Sequence, residues 1–151
     1  MCVETRDVSN VKKMGSLFKS TKEFNMPIGA WDVRNVKDMT GMFIESKKFN
    51  QKIEQWDVRK VEDMTGMFAY AEEFNQPIDK WDVRNVKDMK VMFLGTVQFN
   101  QPIDKWDVSK VEDMTGMFSL SKQFNQSLPI STLGNRVNMN GMFLGAERGG
   151  C

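Results

Sequence analysis

Residues 49–71 read F-N-Q-K-I-E-Q-W-D-V-R-K-V-E-D-M-T-G-M-F-A-Y-A, and nearly the same stretch returns at an interval of 25 residues. Phe24, Phe49, Phe74, Phe99 and Phe124 are each followed by Asn, and Trp31, Trp56, Trp81 and Trp106 keep the same interval. So do the valines Val8, Val33, Val58, Val83 and Val108 and the methionines Met14, Met39, Met64, Met89, Met114 and Met139. One unit is therefore copied about six times. A fixed period of roughly 20 to 50 residues marks a stacked repeat, in which each unit buries its apolar face only against its neighbours. Function has to be sought in columns of residues that run across the repeats.

Within the unit, Phe49, Ile53, Trp56, Val58, Val61, Met64, Met67, Phe68 and Ala71 are apolar. Trp56 and Val58, two apart, suit one side of an extended segment, and Val61 to Met64 suits a second, with a bend before it. From Thr65 the apolar residues fall at Met67, Phe68, Ala71 and Phe74, which suits a short helix with Thr65 as its cap. The expectation is an α/β repeat, with short parallel strands and one short helix per coil. Residues 1–151 are read as a single domain. It divides into a partial N-terminal coil (1–23), full repeats 24–48, 49–73, 74–98 and 99–123, and a degenerate C-terminal cap (124–151). Met1 stands where the third residue of the F-N-Q-P-I stretch would lie, so the chain is expected to open in mid-repeat.

The columns divide into core and surface. Trp31, Trp56, Trp81 and Trp106 lie between Ile and Val positions, and Arg6 and Ser131 fill their slot in the terminal units. That pattern places the indoles in the core with Phe49, Phe74 and Phe99. Asn50, Asn75 and Asn100 stand beside those rings as backbone-satisfying amides, able to accept from one coil and donate to the next. Eleven methionines, with Leu17 in a twelfth slot, fill two further core columns. Pro27, Pro77 and Pro102 mark corners.

Twenty-one basic and twenty acidic residues leave a net charge of +1, which removes the footprint of a general nucleic-acid binder. No apolar run approaches the roughly 18 residues needed to span a bilayer, and residues 1–10 do not read as a signal peptide. The slot at Lys12, Lys37, Glu62, Lys87 and Glu112 alternates in sign from Lys37 onward, so neighbouring coils attract and register is specified. Asp32, Asp57, Asp82 and Asp107, and Asp38, Asp63, Asp88 and Asp113, form carboxylate columns. No calcium-type glycine loop accompanies them, so turn capping or pairing with Arg34, Arg59 and Arg84 is expected rather than a metal. Cys2 and Cys151 stand about 25 Å apart if six coils advance about 4.8 Å each, too far for one disulfide. The chain has no histidine, no phosphate-binding loop and no nucleophile with a base. Neither an enzyme nor a cofactor is expected.

The W-D-V-R-N-V-K-D-M-T-G-M-F and F-N-Q-P-I-D-K-W-D-V stretches resemble the BspA-like leucine-rich-repeat surface proteins. More narrowly, they resemble the W-D-V, M-F, F-N subgroup familiar from mycoplasma lipoproteins, over residues from about 6 to 146. The resemblance implies a right-handed leucine-rich-repeat-like solenoid that binds other macromolecules without catalysis. A cell-surface or secreted place is implied too, with a virion or intracellular one left open. The expected role is a structural or adhesive module mediating protein–protein interaction. Self-association is an open alternative for the partner, and a carbohydrate- or glycan-binding solenoid is an alternative for the function. No nucleic acid and no direct membrane insertion are expected.

Five variable residues separate the M-F and F-N anchors in each unit. Ile44, Tyr70, Leu94, Val97 and Leu120 are the apolar occupants of these slots, and they are the candidate partner-binding residues. The reading places them on a helix-bearing edge.

Overall fold

In the computed structural model, which describes residues 2–147, the chain winds into coils laid one on the next. Backbone hydrogen bonds, rather than regular elements, hold the coils in register. Among the described residues the one helical element is a 3-10 turn at Val3–Thr5. The expectation of an α/β, right-handed leucine-rich-repeat-like solenoid is therefore corrected: among the described residues the coils contain neither the strands nor the helix that the spacing suggested.

The reason lies in how successive N–H groups are shared. In the third repeat the N–H groups of Met64, Gly66, Phe68 and Tyr70 donate to the carbonyls of Asp88, Lys90, Met92 and Leu94 in the next coil. Those of Met67, Ala69, Ala71 and Phe74 donate instead within their own coil, to Met64, Gly66, Phe68 and Ala71. Each coil is thus a run of overlapping four-residue turns whose alternate donors reach sideways. Turn bonds between residues three apart give apolar steps of three, which is the spacing read as a helix. Gly66 (φ +60°) and Tyr70 (φ +58°) are left-handed, a conformation no α-helix contains. Thr65 does not cap a helix: its N–H donates to Asp63 Oδ1 at 2.8 Å, closing a local turn.

Strands fail for a related reason. Among the described residues one residue per coil pairs with its neighbour in strand fashion, giving the isolated parallel bridges Lys13 to Asp38, Asp38 to Asp63, Asp63 to Asp88, Asp88 to Asp113 and Asp113 to Asn138. A single bridge residue between turns cannot extend into a ladder.

The core is one apolar cluster that runs the length of the stack, from Val8 to Met142. Ile53, Val61, Met64, Met67, Phe68, Ala71 and Phe74 are fully enclosed, and Trp56 and Val58 nearly so. Two phenylalanine files stack through it. Phe43, Phe68, Phe93 and Phe118 follow one another at 5.4–5.6 Å between ring centres, and Phe49, Phe74, Phe99 and Phe124 at 5.9–6.0 Å. Each enclosed ring contributes about 1.5–3 kcal/mol by leaving water.

Polar groups tie each coil to the last. The indole N–H of Trp56, Trp81 and Trp106 donates to the carbonyl of Ile28, Ile53 and Ile78 at 3.0–3.1 Å. The small residue three positions before the F-N pair is buried at Ser46, Ala71, Thr96 and Ser121, and where it carries a hydroxyl, that group reaches back too. Ser46 donates to the Phe18 carbonyl at 2.6 Å, Thr96 to that of Phe68 at 2.7 Å, and Ser121 to that of Phe93. Asn50 Oδ1 accepts the Asn75 N–H at 3.0 Å and the Gln76 amide at 3.0 Å, and Asn75 repeats the arrangement toward Asn100 and Gln101. Cys2 is exposed; the expected failure of Cys2 and Cys151 to pair falls on a residue outside those described.

Candidate interaction surface

Two left-handed columns run along the turn-rich loop where the apolar spacing suits a helix. One is Ser16, Gly41, Gly66, Val91, Gly116 and Gly141; the other is Ser20, Glu45, Tyr70, Gly95, Leu120 and Gly145, with φ between +47° and +70° throughout. In each repeat the third residue of the turns Met39–Met42 and Phe43–Ser46, and of their counterparts, takes this conformation, as a type II turn requires. Glycine accepts it without strain, whereas a residue with a side chain does not. The second column nevertheless places a tyrosine and a leucine there.

Glycines leave room for these side chains. A Cβ on Gly95 would stand 2.5 Å from the Tyr70 ring, so the ring lies directly over the glycine of the next coil. Leu120 covers Gly145 in the same way, at 2.6 Å. Ile44 and Val91 approach Gly66 from two sides, within 3.5 and 3.8 Å of a Cβ built there.

Of the five candidate residues, Tyr70 and Leu120 are exposed at 39% and 41%, while Ile44, Leu94 and Val97 are half-buried. All five belong to the same turn-rich loop of successive coils, so the edge expected to bear a helix bears turns instead. Tyr70 also lines a groove of about 290 Å³ with Lys22, Glu45, Lys47 and Glu72. Lys47 pairs with Glu72 there at 2.9 Å, which holds the Lys47 ammonium above its usual pKa. Trp31, Trp56, Trp81 and Trp106 lie in the core and present no ring to this surface. Phe49, Phe74 and Phe99 are enclosed, and Asn50, Asn75 and Asn100 are half-buried at the margin of the core.

Val91 belongs with this edge, and the sequence reading passed over it. Its backbone sits at φ +47°, an outlier for a β-branched residue. The signal was present. Residues 89–93 read M-K-V-M-F where residues 39–43, 64–68 and 114–118 read M-T-G-M-F.

The carboxylate columns are tied into turns. Asp57 and Asp82 bind Arg59 and Arg84 two residues on, at 2.7 and 2.9 Å, and the arginine hydrogen bond holds each carboxyl below the ordinary aspartate range. Asp107 is lowered by the Ser109 hydroxyl. Asp38, Asp63, Asp88 and Asp113 accept the N–H two residues ahead. Among the described residues no three metal-ligating side chains come together, and no helix is long and apolar enough to cross a membrane.

No curated protein and no solved structure shows significant similarity to the chain. A repeat family does match, over residues 2–96 and again over 51–149, the two matches together covering nearly the whole stack. The chain belongs to that family, described as Mycoplasma protein of unknown function, DUF285.

Proposed function

We propose that this chain is a non-enzymatic structural repeat module that holds a protein partner against the turn edge formed by Ile44, Tyr70, Val91, Leu94, Val97 and Leu120. One observation carries the reading: Tyr70, Val91 and Leu120 occupy left-handed backbone positions, where a side chain is strained. Such conformations cost about 1–3 kcal/mol each and persist where something else requires them. Tyr70 and Leu120 are also exposed apolar groups of the kind that anchors interfaces. The likeness of the repeat to BspA-like surface proteins supports an adhesive role at a cell surface, and the finer kinship is part of the same proposal. The repeated carboxylates, each engaged in its own turn, support a scaffold rather than a catalyst.

A photo-crosslinking residue at Tyr70 and, separately, at exposed Lys105 identifies the partner and its side of approach. The purified partner is then titrated against wild type and the Tyr70→Ser/Leu120→Ser variant. The expected result is crosslinking at Tyr70 and a loss of affinity of about thirtyfold, with the melting temperature kept. Unchanged affinity in a folded variant overturns the proposal.

A further inference from the structure

Lys60 and Lys110 stand two coils apart and are held in the same way. Lys60 Nζ donates to Asn35 Oδ1 at 2.9 Å, and Lys110 Nζ to Asn85 Oδ1 at 2.8 Å. The two amides are themselves anchored, Asn35 Nδ2 donating to the Ser9 carbonyl at 2.8 Å and Asn85 Nδ2 to the Arg59 carbonyl at 2.7 Å. A free surface lysine loses rotamer freedom when it binds; these two have surrendered much of it already.

Lys37 and Lys87 run beside them, and Lys87 donates to Glu62 at 3.1 Å. Lys37, Lys60, Lys87 and Lys110, with Glu62 and Asn85, line one groove of about 450 Å³. Four lysines against one glutamate leave it three charges positive, although the whole chain is nearly neutral. A second groove, which shares Lys60 and Asn85, continues it toward Arg34 and Arg59 and includes Asp57, the carboxylate paired with Arg59.

Four consecutive coils each offer two residues to this strip: Asn35 and Lys37, then Lys60 and Glu62, then Asn85 and Lys87, then Lys110 and Glu112. Their sums are +1, 0, +1 and 0, whereas the first coil, with Asn10 and Lys12, adds a further +1 and the last, with Asn135 and Val137, adds none. Across those four coils the net charge is one per two coils, a rise of about 10 Å at the usual strand spacing of about 4.8 Å.

We infer that this groove binds a linear acidic polysaccharide laid along the stack, carrying one anionic group per disaccharide. Widely spaced charges select such a chain. A nucleic acid carries a phosphate on every nucleotide, in each strand of a duplex about every 3.4 Å of helix rise, denser than one charge per two coils. Its bases would also need exposed rings to stack on, and the tryptophans are enclosed. An extended acidic peptide repeats its side every two residues, about 7 Å, and falls out of step. The amide and ammonium groups between the charges are suited to sugar hydroxyls. This site is independent of the apolar edge, since neither groove includes a residue of that edge.

The test is calorimetric titration of the full chain with hyaluronan oligosaccharides at low salt, with oligo(dT) and polyglutamate of equal total charge as comparators. Wild type is expected to bind hyaluronan at least about tenfold more tightly than either comparator. The Lys60→Gln/Lys110→Gln variant is expected to weaken that binding about tenfold without moving the thermal midpoint. Asn35→Ala/Asn85→Ala removes no charge yet is expected to weaken binding about threefold, because the ammonium groups lose their anchors. Glu62→Gln is expected to tighten it. Absence of hyaluronan binding, equal binding of the comparators, or unchanged affinity in the lysine variant overturns the inference.

Discussion

Interior coils and the last coil use the same residue types with opposite results. Met64 and Met89 are fully enclosed, whereas Met139, their counterpart in the last coil, is 41% exposed. Phe118 is enclosed and Phe143, one coil on, is only partly buried. Leu144 is 71% exposed where its counterpart Ala69 is buried, and Ser131 stands where the interior coils carry tryptophan. A side chain in this stack is buried by the coils on either side of it, not by its own. Its energetic worth is set by how many neighbours it has, as expected of a structure that is nearly one-dimensional.

The sharpest way to break that comparison is to truncate one core residue in each region. Trp81→Ala is expected to cost about 3–5 kcal/mol, since the indole stacks on Trp56 at 6.5 Å and donates to the Ile53 carbonyl. Met139→Ala is expected to cost under about 1 kcal/mol, as at an exposed site. Urea midpoints measure both, and similar losses would show that burial is not conferred by neighbouring coils.

Next in size is the asparagine file. Asn75→Ala leaves the Asn100 N–H without its acceptor and the Gln101 amide with the Asn75 backbone carbonyl alone, and is expected to cost about 1–3 kcal/mol. A loss as small as that of Met139→Ala would mean that water replaces the amide.

Val91→Gly tests the left-handed column from the other side. The substitution relieves a β-branched residue at φ +47° and is expected to raise stability by about 1 kcal/mol, while Gly116→Val lowers it by a similar amount. If Val91→Gly destabilises, the packing of Val91 beside Gly66 and Gly116 outweighs the strain.

The smallest effect is the response to pH. With no histidine in the chain, the thermal midpoint is expected to stay flat from about pH 5 to 8. Asp57 and Asp82 have lowered pKa values in the folded state. Their stabilisation is complete above the unfolded aspartate value of about 3.9 and fades as pH falls through the lower folded value. The midpoint should therefore decline below about pH 4, and less so in Asp57→Asn/Asp82→Asn. A decline that begins near neutrality would point to another group.

The period and the core columns were legible because one apolar pattern is written several times over, and repetition separates signal from chance. The turn-by-turn path was not. Steps of three arise equally from a helix and from successive four-residue turns, so Met67, Phe68, Ala71 and Phe74 could not tell the two apart. Gly41 and Gly66 announce a left-handed column, but in the second column Gly95 and Gly145 alternate with Tyr70 and Leu120 after Ser20 and Glu45, and glycines so interrupted do not mark a shared backbone angle. Val91 was visible as a departure from its column, and its meaning needed the backbone angle. The lysine groove was hidden for another reason. Its alternation spans two repeats, and it depends on amides that anchor ammonium groups from a coil away.

The hydrogen bonds between coils join residues 24 to 28 positions apart, at equivalent places in adjacent units. A cassette of 25 residues can accordingly be excised or duplicated at the level of the gene, and the coils newly brought together find the partners they had before. Unequal recombination would lengthen or shorten such a chain without asking it to refold. Between Lys37 and Glu112 the charged strip adds a rule of parity: an even number of cassettes keeps its alternation in phase, and an odd number leaves a seam.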